Sequence, residues 1–161
     1  MSENWPVTEE GTVMIRQNAV FKLEEVYKLF NIFAIENKYF FSEKNFTRKD
    51  KSDGSEYQIE WEFERKVTPF IKFVINVEIW SLRTTEQGNG LFKGELEMNF
   101  DAVMRMDWQE RWEKTKFGKF LRKIYIYYIK KDYFLGNAGK LWEEVYELHA
   151  RAKVFLNQNT G

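Results

Sequence analysis

The stretch Tyr57-Gln58-Ile59-Glu60-Trp61-Glu62-Phe63-Glu64-Arg65-Lys66-Val67 decides the fold class. Every odd position but Arg65 is apolar, and every even position is polar. Side chains on a strand alternate between faces, so this pattern predicts a strand with one buried face and one wet face. The same signature recurs downstream. After Thr68 and Pro69 break the run, residues 70–82 place Ile71, Phe73, Ile75, Val77 and Ile79 in one phase. Residues 92–108 then alternate at length, with Phe92, Gly94, Leu96, Met98, Phe100, Ala102, Met104, Met106 and Trp108 in the apolar phase. Between them, residues 84–90 contain Gly88-Asn89-Gly90, a hairpin signal. Three long alternating runs joined by turn chemistry predict an antiparallel meander. Gly94 is a place for the longest run to bend.

Working outward, residues 12–21 read as an earlier strand, with Val13, Ile15, Ala19 and Phe21 in phase. Residues 22–37 read as a helix. Leu23, Val26, Tyr27, Phe30, Phe33 and Ala34 recur at three- and four-residue spacing, and Leu29, Ile32 and Ile35 widen the stripe. Residues 38–49 are ambiguous, because Tyr39, Phe40, Phe41 and Phe46 do not alternate cleanly. Residues 51–55 are a turn signal. Beyond the long run, residues 109–116 are polar, and a helix is expected from Phe117 through Tyr128. Gly136-Asn137-Ala138-Gly139 is expected to end it, and a last helix to span residues 140–156 on Leu141, Val145, Leu148, Ala152 and Phe155. The chain therefore reads as one domain, residues 12–156, between a flexible stretch 1–11 and a frayed stretch 157–161.

The expected architecture is α+β: a curved antiparallel β-meander covered on one face by an early helix and a long C-terminal helix. This order of elements, carried by the helix 22–37, the strands 57–67 and 92–108 and the terminal helix 140–156, resembles the helix-grip fold of START and Bet v 1-like proteins. The additional helix after Phe117 departs from that pattern. The resemblance implies a cavity for an apolar ligand between the curved sheet and the C-terminal helix. Tyr57, Trp61 and Trp108, with Arg65, are the candidate wall of such a site.

Composition narrows the chemistry. Aromatic residues make up 18% of the chain, which demands either a ring-rich core or rings around a ligand. Cysteine is absent and His149 is the only histidine, so the sequence holds no zinc-ligand cluster. It holds no thiol nucleophile, and a Ser-His pair would have to use His149. The ordinary reading of His149 is a boundary residue of a helix. Glu60, Glu62 and Glu64, and Glu95, Glu97 and Asp101, alternate with apolar residues, which points them at water and at cross-strand lysines rather than at acid–base catalysis. No phosphate-binding loop is present, because Gly88-Asn89-Gly90 lacks the lysine and the helix start that such a loop needs. The sequence thus implies a binding protein rather than an enzyme, with no cofactor.

Two features point toward ligands. Arg65 is the one charge in the apolar phase of its strand. Its stem either snorkels to water, or its guanidinium meets a buried acid or an anionic ligand group. Between residues 111 and 131, basic side chains including Lys116, Lys119, Arg122 and Lys123 are interleaved with Trp112, Tyr125 and Tyr127. That segment reads either as the solvated face of a helix or as a surface for a protein or RNA partner, or for anionic lipid. The sequence-based expectations are an apolar small molecule or lipid as ligand or, alternatively, an adaptor role through this segment. The first residues carry Glu3, Glu9 and Glu10 without an apolar run, and no stretch has about 20 apolar residues. The expected location is cytoplasmic.

Overall fold

A computed structural model describes residues 3–9, 13–106 and 131–158. The decisive alternation folds as β4, Gly54–Lys66, and the two runs after it as β5, Ile71–Gly88, and β6, Leu91–Met106. Before them come β1, Glu3–Pro6, then β2, Met14–Lys22, then helix α1, Leu23–Glu36, and β3, Phe40–Lys51. Helix α2, Lys131–Gln158, follows. The protein is α+β, with one open antiparallel sheet in the order β1-β6-β5-β4-β3. β2 also pairs with β6, so β1 and β2 share one edge.

The meander β3–β6 is built on the expected phase. Ile59, Trp61 and Phe63 of β4, Ile71, Phe73, Ile75, Val77 and Ile79 of β5, and the even residues Leu96 to Met106 of β6 all point to one face and are buried. Both helices cover that face. α1 contributes Val26, Phe30, Phe33 and Ala34, and α2 contributes Leu141, Val145, Leu148, Ala152 and Leu156. Phe30 is the hub of the first contact, its ring lying 4.9 Å from Trp61, 6.0 Å from Phe63 and 6.2 Å from Phe100. The Glu-rich opposite face of the sheet carries no described helix.

The ambiguous residues 38–49 are a strand whose phase flips. β3 has a bulge between Glu43 and Asn45, so Phe41 and Glu43 face inward before it and Phe46 and Arg48 after it. One extra residue inverts the alternation, which is why period-two reading fails there. The loop expected over residues 84–90 is also mostly strand. β5 continues to Gly88, and the turn is only Asn89-Gly90, at φ 54° and 76°. Two consecutive positive φ values are those of a type I′ hairpin turn, whose twist matches the sheet. Residues 3–6, which carry no strand pattern, pair with Val103–Met106 of β6. Where β1 stops, Thr8 substitutes for a strand: Val7 N–H donates to the Ala102 carbonyl at 2.8 Å, and Thr8 Oγ1 accepts from Ala102 N–H at 3.0 Å.

α1 begins directly at the end of β2, with Glu24 and Glu25 in its first turn against the positive helix end. It ends in a Schellman turn. Lys38 takes φ 60°, Lys38 N–H donates to Ile35 O, and Tyr39 N–H donates to Ala34 O at 2.8 Å. This turn points Tyr39 into the core.

The expected helix stop at Gly136-Asn137-Ala138-Gly139 does not occur, and α2 runs through it to Gln158. Neither glycine has the positive φ of a helix terminator. The cost of glycine in a helix is only about 1 kcal/mol each, and burial along the rest of α2 outweighs it. Ala138 itself packs against the core. A Cβ at Gly136 or Gly139 would meet nothing within 4 Å. Gly136→Ala and Gly139→Ala should each therefore raise stability, by roughly 0.5–1 kcal/mol. Urea denaturation checks this, and a loss of stability in both would show that the glycines are needed.

Candidate functional site

Arg65 lies near the end of β4, below the C-terminus of α1, where α2 crosses. Its Nη2 is 2.9 Å from Glu144 Oε1, and its Nη1 donates to the Asn37 carbonyl at 2.7 Å. Its guanidinium stands 4.8 Å from the centre of the Tyr39 ring and 5.1 Å from that of Phe73. The Tyr39 hydroxyl donates to the other oxygen of Glu144. Burial, reinforced by the Glu144 carboxylate, pushes the Tyr39 phenol far above its ordinary range, so it remains a donor. The guanidinium thus meets a buried acid from α2 instead of snorkelling to water. Glu144 stands outside the apolar stripe of its helix, yet it is buried, facing Arg65.

The other candidates separate. Trp61 is 1% exposed, with ring centres of Tyr27 and Phe30 at 4.8 and 4.9 Å, and its indole donates to Glu43 Oε1 at 3.2 Å. Tyr27 donates to the same carboxylate oxygen, and burial followed by Glu43 holds its phenol well above the usual range. Trp61 is therefore a satisfied core residue. Tyr57, Trp61 and Arg65 share one face of β4, but the first and last are eight residues apart, about 26 Å along a strand. They do not form one site. Trp108, Lys116, Lys119, Arg122 and Lys123 lie outside the described residues.

The space between the sheet and α2 is filled, since Leu141, Val145, Leu148, Ala152 and Leu156 are all fully buried there. A pocket opens instead at the hairpin end, between the start of α1 and strands β4–β6. Phe21, Leu23, Tyr57, Ile79, Phe92 and Leu96 wall it, Ser81 and Thr84 border it, and the surface it exposes is apolar. Its cavity volume is about 20 Å³, room for about one water, within an indentation of about 280 Å³ that includes open solvent.

A bulge in β5 creates this slot. Leu82 pairs with Glu95 and Thr85 with Lys93, which leaves Arg83 and Thr84 opposite Gly94 alone. Arg83 takes φ 51°, and the bulge turns Thr84 to the inner face beside Ser81. The two buried hydroxyls bond each other at 2.5 Å. They sit directly on Gly94, where a Cβ would come 2.9 Å from Thr84 Oγ1 and 3.2 Å from Ser81 Oγ. Gly94 is needed because β5 crowds it; the extra residue lies in β5, while β6 stays in register with β2 through Ala19 opposite Gly94. Ser81 shares its cross-strand row with Leu96 and Gln17, and the Gln17 amide nitrogen is buried without a partner among the described residues. Sequence reading passed over these residues, although a signal existed. Gln17 and Ser81 are polar residues in the apolar phase of their strands, just as Arg65 is.

The acidic face behaves as its alternation implies. Glu64 lies 3.2 Å from Lys72 and Glu62 lies 3.9 Å from Lys44. Partial burial and the neighbouring Glu64 raise the Glu62 carboxyl, while the bond from Glu62, with Lys72 beside it, lowers that of Glu64. Among the described residues no cluster of His, Asp or Glu is arranged to hold a metal ion. His149 Nε2 lies 3.2 Å from the Met14 carbonyl, and its ring meets Phe100 edge-on at 5.6 Å.

The Arg65 cluster yields two measurable consequences. Arg65→Met leaves Glu144 buried without its cation and should cost about 3–5 kcal/mol. Arg65→Met combined with Glu144→Leu should recover much of that loss in urea denaturation, and equal losses in the single and double variants would contradict the pairing. The second consequence concerns alkali. Below about pH 10 the phenols of Tyr27 and Tyr39 are protonated in both folded and unfolded chains, so their contribution is complete. Above that pH the unfolded chain ionises first, and stability falls as pH rises. The fall should be shallower in Tyr39→Phe, and an identical slope in wild type and variant would refute it. Comparison with known proteins gives no matching family model, curated protein or solved structure.

Proposed function

We propose that this protein is a non-catalytic binding protein that takes a small apolar ligand into the slot at the hairpin end of its sheet. The observation that carries this reading is the slot itself. It is an indentation in an otherwise filled core, walled by aromatic and aliphatic side chains and open to solvent on one side. The filled interface between sheet and α2 moves the ligand away from the place that the helix-grip resemblance implies. Of the residues expected to bind, Tyr57 remains in the site. It closes one wall, with its ring centre 5.9 Å from that of Phe92.

The dimensions limit the ligand. A cavity volume of about 20 Å³ is far below the usual range of ligand pockets, so a ligand larger than a water enters only by displacing the walls. The two polar side chains that line it form no nucleophile–base pair, which is why binding is favoured over chemistry.

Titration with toluene, followed through methyl resonances, tests the reading. Saturable shifts are expected at Ile59, Ile79 and Leu96, with none at Ile71 or Ile75 toward the other end of β5. Leu96→Phe should fill the slot and abolish those shifts at a stability cost of about 1–3 kcal/mol. Absence of any saturable shift in the wild-type protein would remove the proposal.

A further inference from the structure

The Glu-rich outer face of the sheet carries a hollow of its own at the hairpin end, on the side opposite the slot. Asn18, Arg83, Thr85, Gln87, Lys93 and Glu95 line it around Gly94. Asn18 lies opposite Glu95 and Thr85 opposite Lys93, so these four side chains share one face across β2, β6 and β5. The β5 bulge shapes the hollow. It turns Thr84 inward, so between Leu82 and Thr85 only Arg83 is left on the outer side. The volume is about 570 Å³, open to solvent and within the usual range of ligand pockets. A second hollow of about 150 Å³, bordered by Lys51, Asp53, Gly54 and Glu56, also has Arg83 in its wall. The Arg83 guanidinium reaches Glu95 Oε2 at 2.8 Å on one side and Asp53 Oδ2 at 3.3 Å on the other.

The lining selects by charge. Arg83, Lys93 and Lys51 stand against Glu95, Asp53 and Glu56, so the positive and negative groups balance. Arg83 already holds two carboxylates and Lys51 holds Glu56, which leaves little for a free anion or cation to gain. No aromatic ring lines either hollow, so a flat base or an apolar ring has nothing to stack on. Hydrogen bonding remains. The Asn18 amide and the Lys93 ammonium have no side-chain partner among the described residues. Gln87 gives one N–H to Thr85 Oγ1 at 2.8 Å and keeps its other N–H and its oxygen. Donors and acceptors stand side by side, the pattern that neighbouring hydroxyls satisfy.

We infer that this groove binds a neutral polyhydroxylated ligand, a short oligosaccharide, with hydroxyls on Asn18, Gln87, Lys93 and Glu95 and its chain running past Arg83 toward Asp53. The site is separate from the slot and does not rest on it. Every bond to the sugar replaces one to water, so the dissociation constant should be about 1 mM.

Cellotetraose, maltotetraose and tetra-N-acetylchitotetraose test this, each titrated into the wild-type protein and followed through amide resonances, including the side-chain amides of Asn18 and Gln87. One of them should give saturable shifts at Asn18, Gln87, Lys93 and Glu95, with the methyl groups of Ile79 and Leu96 in the slot unmoved. Asn18→Ala combined with Gln87→Ala should weaken that binding about five- to tenfold, the loss of two neutral hydrogen bonds. Both side chains are exposed, so the fold is unaffected. Silence of all three sugars would overturn the inference, as would unchanged affinity in the double variant. Saturation by sodium phosphate in place of sugar would make the groove an anion site and overturn it equally. None of these outcomes bears on toluene in the slot, so the two readings fail separately.

Discussion

One buried ion pair ties together β4, α2 and the end of α1, three elements far apart in the sequence. Glu144 of α2 receives Arg65 of β4 on one oxygen and Tyr39 on the other. Arg65 in turn holds the carbonyl that closes α1. A charged pair away from water gives little net stability, because desolvation cancels most of its attraction. Its effect is on specificity. The apolar stripe of α2 could slide along the sheet by a turn and still bury leucines. The carboxylate cannot, because any other register leaves two charges buried apart. Arg151 adds a second, more exposed tie, with Nη2 2.7 Å from Glu36 of α1. The helix layer is thus positioned by polar contacts and stabilised by apolar ones.

The sheet beneath follows a different rule. Its regular centre is a pure alternation, and its irregularities are single-residue events. The extra residue in β3 brings Glu43 beneath Trp61 and Tyr27, and places charged residues along an otherwise open edge. Charges and bulges on an edge strand oppose pairing with other chains. The irregularity in β5 turns Thr84 inward and demands a glycine opposite. Both bulges therefore put polar atoms on the inner face, and each polar atom has a defined consequence for the core around it.

The sequence made the regular parts legible. β4, β5, β6 and α1 follow from periodicity, because one buried face imposes one phase. Bulges are invisible to that reading, since the phase before and after each is sound on its own. This explains why residues 38–49 looked ambiguous and why β5 was expected to end at Leu82. The glycines of α2 misled for another reason: local propensity is worth about 1 kcal/mol per residue and tertiary burial overrides it. Arg65 was conspicuous as a charge in an apolar phase, yet its partner lies 79 residues away in sequence and belongs to a helix face that reads as solvated. Ser81 and Gln17 broke phase as clearly, but uncharged side chains attract less notice. Thr84 could not have been placed without the bulge.

The shared edge of the sheet governs the order in which the chain can fold. β1 and β2 are synthesised before the other strands of the sheet, and among the described residues both pair only with β6. At about 5–20 residues per second, they wait on the order of ten seconds for that partner to leave the ribosome. During that interval β3, β4 and β5 can pair with one another, but the early strand β2 and the apolar stripe of α1 have no finished surface to cover. Contacts this distant in sequence make for slow folding. Pairing with β6 is therefore the event that lets the early strands find their place in the sheet.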